Sequence, residues 1–369
     1  MRQHSLARFS AGLVGVALVA AACGGGGQQR GGSSGGGGGS SNGGAVSIAL
    51  SNSYAGNSWR QQMVNEFQLA AKKAKQKGLA SKTGVVNANN SASQQASQMQ
   101  SMILQGYDAI TVDAASTTSL NGVIKKACDA GIKVVVFDAL ATAPCAYKVA
   151  FNYVNYGKRE VDYVAKRLHG KGNILEIRGI AGTSVDNDIH KGVVQELKKY
   201  PHMRIVGSVH GNWTESIAQK AVAKILPSLP KVDGVVDQGG DGYGTAQAFV
   251  AAGREPPIIV MGNREDEIKF WLQQHKKNGY ETTSISSQPG VSAIAFWVAY
   301  ELAKGAKMPK RITVPLLQIK FSDVETWIKV TPKGGVATPY YSHAWTKKLI
   351  SSAKAGGSPP PQPPPGSGS

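Results

Sequence analysis

Ala109-Ile-Thr-Val-Asp113 and Lys133-Val-Val-Val-Phe-Asp138 are two short β-branched runs with a helical stretch near Ser119–Asp129 between them. Strand, helix and strand in that order make a βα unit, and the rhythm extends in both directions along the chain. Upstream, Ser47–Leu50 reads as a strand, Ser58–Lys77 as a helix, Gly84–Asn87 as a strand and Ala92–Leu104 as a helix. Downstream come strand Val149–Tyr153, helix Tyr156–Leu168, strand Asn173–Ile177 and helix Asp186–Lys199. Further strands follow at Arg204–Val209, Gly234–Asp237, Ile258–Met261 and Thr283–Ser287. Repeated βα units imply an α/β chain of parallel sheets with helices on both faces, and their number suits two such sheets.

Ligands of such folds lie in the crevice at the carboxyl ends of the strands, so the residues just after each strand carry the functional information. Here they are Asn57-Ser-Trp59-Arg60, Asp113, Asp138, Gly179 to Asn187, Asn212-Trp213, Gln238-Gly-Gly-Asp241, Gly262-Asn263-Arg264 and Ser287-Gln288-Pro289. Two indoles, two guanidiniums, several carboxylates and several amides suit a polyhydroxylated ligand. Acids and amides hydrogen-bond hydroxyls, and flat aromatic faces pack on the C–H faces of a sugar ring. The competing readings are core or interdomain aromatics for Trp59 and Trp213, and interdomain salt bridges for Arg60 and Arg264. The strand ends offer no nucleophile–base pair, so an enzyme is not expected. Gly239-Gly-Asp-Gly-Tyr-Gly244 lacks dinucleotide-loop spacing, and the seven histidines are scattered, so neither a cofactor nor a metal is expected.

The chain has 369 residues, 41 Lys+Arg against 23 Asp+Glu, and a formal net charge of +18. That balance raises a nucleic-acid or membrane-surface partner. The ends of the chain decide between them. Arg2 and Arg8 precede an apolar run, Ala11–Ala22, that is shorter than the roughly 20 residues needed to cross a bilayer. It stops at Cys23, and 13 of the 45 glycines fall in the following Gly24–Gly44. Val19-Ala-Ala-Ala-Cys23 resembles a bacterial lipobox, with Ala20 where Leu is usual. The expectation is an exported lipoprotein, anchored at the outer membrane face through Cys23 and a glycine tether. The basic balance then reads as a solvated face toward the membrane, with no nucleic-acid partner. The remaining cysteines, Cys128 and Cys145, form an even pair in an oxidising compartment; a disulfide pinning the loop beside the cleft is expected, with two buried free thiols as the alternative. Six of the 17 prolines lie in Ala355–Ser369, a tail expected to be disordered.

The order of motifs resembles the periplasmic sugar-binding proteins of ABC importers, the ribose-binding group among them, from about Val46 to about Lys320. Gly179-Ile-Ala-Gly-Thr-Ser184, Phe137-Asp138 and Tyr243-Gly-Thr-Ala-Gln-Ala-Phe249 carry the resemblance. It implies a type I periplasmic binding fold: two Rossmann-like doubly wound parallel-sheet domains joined by a three-strand hinge, with crossovers near Asn152, Ser287 and Ile319. It also implies closure of the two domains on one sugar. Asn57 and Trp59 stand where the family places a polar group and an aromatic, and Arg60 where a second aromatic is common. Asp113 falls at an amide or acid position, and Asp138 at the sugar-hydroxyl acceptor. Trp213 takes the place of a stacking aromatic, and Gln238 that of a ring-contacting amide. Three positions depart. Asn187 replaces the family's arginine, Asn263-Arg264 stand where an acid is usual, and Ser287 or Gln288 replaces a glutamine. Two arginines at the cleft leave a carboxylate, a furanose or a differently arranged polyol open as ligand.

The expected organisation is a signal peptide at 1–22, a tether at 23–44, an N-terminal lobe of 45–152 plus 288–318, a C-terminal lobe of 153–287 plus 319–330, and an extension at 331–369. The expected role is a monomeric solute receptor handing a sugar-like ligand to a membrane permease. A sensor presenting ligand to a chemoreceptor or kinase is the alternative. An N-terminal DNA-binding segment has no room beside the signal and tether.

Overall fold

The computed structural model describes residues 44–367. The signal peptide, Cys23 and all of the tether but Gly44 lie outside the described residues. In chain order the first elements are β1 (Val46–Asn52), α1 (Ser58–Gln76), β2 (Ala80–Asn87), α2 (Ala92–Leu104), β3 (Ala109–Asp113), α3 (Asn121–Asp129), β4 (Lys133–Phe137) and β5 (Tyr147–Ala150). Then come α4 (Tyr153–Arg167), β6 (Lys171–Arg178), α5 (Ser184–Leu197), β7 (His202–His210), α6 (Glu215–Ile225), β8 (Gly234–Asp237), α7 (Gly242–Ala251), β9 (Ile258–Ile259) and α8 (Glu265–Asn278). The chain continues through β10 (Ser284–Ser286), α9 (Val291–Ala303), β11 (Arg311–Thr313), β12 (Leu317–Ile319), α10 (Val324–Val330) and α11 (His343–Lys354).

The first sheet has the order β11-β5-β4-β3-β1-β2, every pair parallel. β1 and β3 are buried along their whole length, and β4 is buried after Lys133. Helices cover both faces, which is why these strands read as unbroken apolar runs. On one side α1 turns Met63, Phe67, Ala70, Ala71 and Ala74 inward, a single stripe at helical spacing. α9 lies against β1, β3, β4 and β5 and is covered in turn by α1 and α11. Eleven of its 13 residues are buried, so it is apolar all round.

The second sheet runs β7-β6-β8-β9 in parallel. A bridge from Met261 to Ser284 joins it to the antiparallel pair β10–β12. α4 and α5 pack closely over it. Gly157 and Gly192 sit at their crossing, where a Cβ would run into the carbonyl oxygens of Ile189 and Val154.

Three passages connect the sheets: Phe151-Asn152 between β5 and α4, Ser287–Gly290 between β10 and α9, and Val314–Leu316 between β11 and β12. The third falls a few residues before the expected position near Ile319, because β12 already pairs with β10 of the second sheet. Beyond α10, which packs on α8, the chain returns past the cleft and lays α11 on α9 and β11. The proline-rich tail, expected to be disordered, follows without regular structure but with fixed contacts. Trp345 Nε1 donates to Pro361 O at 2.9 Å and Gln362 Nε2 to Pro315 O at 2.9 Å.

Cys128 and Cys145 are joined in a disulfide with Cα atoms 6.4 Å apart. The bridge does not lie beside the cleft. β4 and β5 are parallel and joined by a loop without a helix, so residues 138–146 run the full height of the sheet. Asp138 stands at the cleft end of that loop and Cys145 at the opposite end, in a groove with Lys133 and Tyr147. No helix among the described residues is long and apolar enough to cross a membrane.

Candidate functional site

The carboxyl ends of both sheets face one cleft. Its enclosed free volume is small, about 40 Å³. The walls therefore stand close. Asn57, Trp59, Arg60, Asp138, Trp213, Gln238, Asn263, Arg264 and Ser287 all line it.

On the first lobe, Asn57 caps α1, its Oδ1 accepting from the Arg60 N–H at 2.8 Å. Its Nδ2 reaches across the cleft to Trp213 O at 3.3 Å. Leu140 N makes a second crossing bond, 2.8 Å to Ser184 Oγ, so the two lobes are closed on each other. Arg60, one residue after Trp59, is buried with its guanidinium carbon 5.3 Å from the Trp59 ring centroid. The guanidinium pairs with Asp113 at the end of β3 and lies 3.5 Å from Asp138 Oδ2. Asp138 holds a left-handed backbone, φ 54°, and its Oδ1 accepts from the Tyr153 hydroxyl. Burial pushes the Asp138 carboxyl up, against the pull of Arg60 and Tyr153. Trp59 Nε1 is buried at the cleft and has no hydrogen-bond partner among the described residues. A buried donor of this kind calls for an acceptor.

On the second lobe, Asn212 and Trp213 both have positive φ, 56° and 54°. That turn lays the indole over Gly179, where any Cβ would strike the ring. Trp213 O also accepts from Arg264 Nη2 at 3.0 Å. Gln238 Oε1 accepts from Gly179 N at 2.9 Å, and its Nε2 donates to Asp186 O and Oδ1, both at 3.1 Å. Arg178 grips Asp186 with Nε at 3.0 Å and Nη2 at 2.7 Å, so the loop of residues 179–186 is held on a charged clasp. Gly239 and Gly240, at φ 90° and 86°, let the chain pass under Arg264; a Cβ on Gly240 would sit 2.9 Å from its Nε. Beneath, Glu267 accepts N–H bonds from Gly242, Gly262 and Arg264 at 3.0–3.1 Å, tying together the loops after β8 and β9. Burial, with Asp266 adding to it, raises Glu267 to about 7. Burial likewise holds Glu160, Asp237 and Asp241 well above the usual carboxylate range.

Three expected site residues stand elsewhere. Asp113 lies behind Arg60, off the cleft wall. Asn187 is exposed on α5: its neighbour Asp186 points inward, and one helical step turns Asn187 about 100° away. Gln288 is buried in the hinge, donating to Pro315 O at 3.0 Å and to the Tyr341 hydroxyl at 2.7 Å, and accepting from Leu317 N at 3.2 Å. The cleft adds Tyr153, Val185, Gly239, Gly240 and Ser286. Tyr153 was legible in principle, since it follows β5, but the sequence reading runs that strand through it. Val185 has no polar signature to mark it.

Aromatic faces, amides, hydroxyls and one carboxylate can bind a polar ligand. Among the described residues, those that line the cleft include no histidine, cysteine or lysine. Residues 48–307 match the family model described as periplasmic binding protein domain. A xylitol-binding protein of Mycolicibacterium smegmatis is 35% identical over 223 residues, 59% of this chain and 63% of that protein. A galactofuranose-binding protein of Escherichia coli is 23% identical over 278 residues, 73% of this chain and 86% of that protein. The fold matches an ABC transporter solute binding protein from Thermobispora bispora with a TM-score of 0.81 and 38% identity, covering 86% of this chain and 98% of that one. These relatives are binding proteins and not enzymes.

Proposed function

The chain belongs to the periplasmic binding protein domain family, and on that premise we propose that it captures a neutral sugar or sugar-like polyol in the cleft and delivers it to the permease of an ABC importer. The observation that carries the ligand class is the unpartnered Trp59 Nε1 beside Asp138, a donor and a charged acceptor on one wall, matched to hydroxyl groups. The names of the relatives, which include xylitol and galactofuranose binders, support the same class, and the name of the Thermobispora bispora protein, an ABC transporter solute binding protein, favours import over sensing.

Charge bookkeeping favours a neutral ligand over an acid. Arg60 is committed to Asp113 and Asp138, and Arg264 donates to Trp213 O above a nest of buried carboxylates. Arg60, the guanidinium beside Trp59, is therefore not free to receive a ligand carboxylate, whereas Arg264 has only part of its donor set engaged. Binding by both lobes favours the closed state, which the permease then recognises. The protein works as a monomer outside the cytoplasm, anchored through a lipid on Cys23.

Titration calorimetry against pentoses, hexoses, pentitols and their acids tests the ligand. A neutral polyol should bind, and Trp59→Phe, which keeps the ring and removes the N–H, should weaken it about 5- to 10-fold. Binding only of the acids would refute the neutral class. Labelling with a fatty acid tests the anchor: label on the wild type and none on Cys23→Ala is the expected result.

A further inference from the structure

The end of the first sheet opposite the cleft carries a groove of about 540 Å³, formed by the start of β4, the disulfide, Tyr147 and the loop between α9 and β11. Lys133, Lys307 and Lys310 line it, and all three are exposed. Among the described residues no carboxylate lies within ion-pairing distance of any of them. Lys310 Nζ donates to Cys145 O at 2.6 Å and stands 4.0 Å over the Tyr147 ring. Partial burial lowers the Lys310 ammonium, and the charge on Lys133 lowers it further: the cations press on one another. The chain enters the fold at the same end. Gly44 precedes β1, and its carbonyl accepts from Lys304 Nζ at 3.2 Å.

We propose that this basic base of the first lobe docks on the anionic lipid headgroups of the membrane that carries the anchor. The inference rests on the reading of Cys23 as lipidated. Cys23 lies 21 residues before Gly44, a span of at most about 75 Å. An acyl anchor and a basic patch are the two signals that together hold a protein on a membrane. Strand direction fixes the consequence. The groove lies at the amino ends of the strands and the cleft at their carboxyl ends, so a receptor docked by its base holds its cleft toward incoming solute during capture and leaves this pose to present the closed lobes to the permease.

The test uses the full chain carrying Cys23→Ala, so that its outcome does not depend on lipidation. Co-sedimentation is measured with vesicles of phosphatidylcholine alone and with added phosphatidylglycerol; the first arm reads any uptake by the apolar leader. Binding should require phosphatidylglycerol and fall as salt rises. Lys133→Gln, Lys307→Gln and Lys310→Gln together should weaken it on the order of 100-fold, at roughly 1 kcal/mol for each lysine near a charged surface. Lys198→Gln, Lys220→Gln and Lys224→Gln, an equal loss of charge on exposed positions of the second lobe, should change it little. Equal losses in the two triple variants would overturn the proposal, as would wild-type binding that ignores phosphatidylglycerol or salt. Failure of the fatty-acid label would count only against the anchor.

Discussion

At Asp138 the sequence and the site meet in one residue. It ends an apolar strand, turns the chain with a positive φ, accepts from Tyr153 and shares Arg60 with Asp113. Asp138→Asn removes one of two carboxylates facing a single guanidinium and leaves Arg60 paired with Asp113. The fold should therefore tolerate the change, while the charged acceptor at the cleft is lost. Ligand affinity should fall roughly 100-fold, the range of a hydrogen bond to a charged group, with little change in the melting temperature. Asn187→Ala is the companion measurement. Its side chain is exposed on α5, so affinity should not move. Calorimetry on the pair separates a strand-end residue that lines the cleft from one that the helix turns away from it. The strand-end rule found nine residues that line the cleft because a strand delivers its next residues to a fixed edge. It failed at Asn187 because facing on a helix changes with every residue, and at Gln288 because a residue can follow a strand and still serve the hinge.

Among the elements, those with a single environment were the legible ones. β3 and β4 are buried on both faces, and α2 is observed over the same residues as expected, Ala92–Leu104. The short hinge strands β11 and β12, three residues each, have too little pattern to read, and α11 depends on a remote surface of α9 for its place. The disulfide shows how topology overrules proximity in sequence. Cys145 is seven residues from Asp138, yet parallel pairing of β4 and β5 sends the loop to the far end of the sheet. Reduction should therefore affect stability and spare the site. Closing a loop with a sequence separation of 17 is worth about 3 kcal/mol on the chain-entropy view. Cys128→Ser with Cys145→Ser should lower the urea unfolding free energy by about that amount and leave ligand affinity within twofold. A large loss of affinity with unchanged stability would mean that the bridge does steer the cleft.

For the molecule as a whole, pH should act mainly through acids that folding buries. Glu66 of α1 sits in a groove with Gln62, Lys329 and Tyr340, and burial raises it to about 7 against the opposing pull of Gln62 and Lys73. Glu267 is raised to about 7 beneath the cleft, and Glu160, Asp237 and Asp241 shift the same way. An acid whose folded pKa is raised contributes stability that is complete below its unfolded value, 4.5 for Glu66 and Glu267, and lost as pH rises through the folded value. Asp162 and Glu325, held down by hydrogen bonds from Lys166 and Lys276, act in the opposite sense. Glu325 is exposed and Asp162 half-buried, and their contribution disappears only in more acid solution. The raised group should dominate between about pH 4.5 and pH 7, the range bounded by the shifts of Glu66 and Glu267, so the urea unfolding free energy should fall across it and level off above. Glu66→Gln isolates one contributor, because its carboxylate is not an acceptor for backbone N–H groups as Glu267 is. The variant should lose part of the slope and, after allowance for solvent around a partly exposed side chain, exceed the wild type by about 1–2 kcal/mol at pH 8. A wild type that gains stability up to pH 8, or a Glu66→Gln variant with the wild-type slope, would show that these carboxylates are relieved by water in the folded protein.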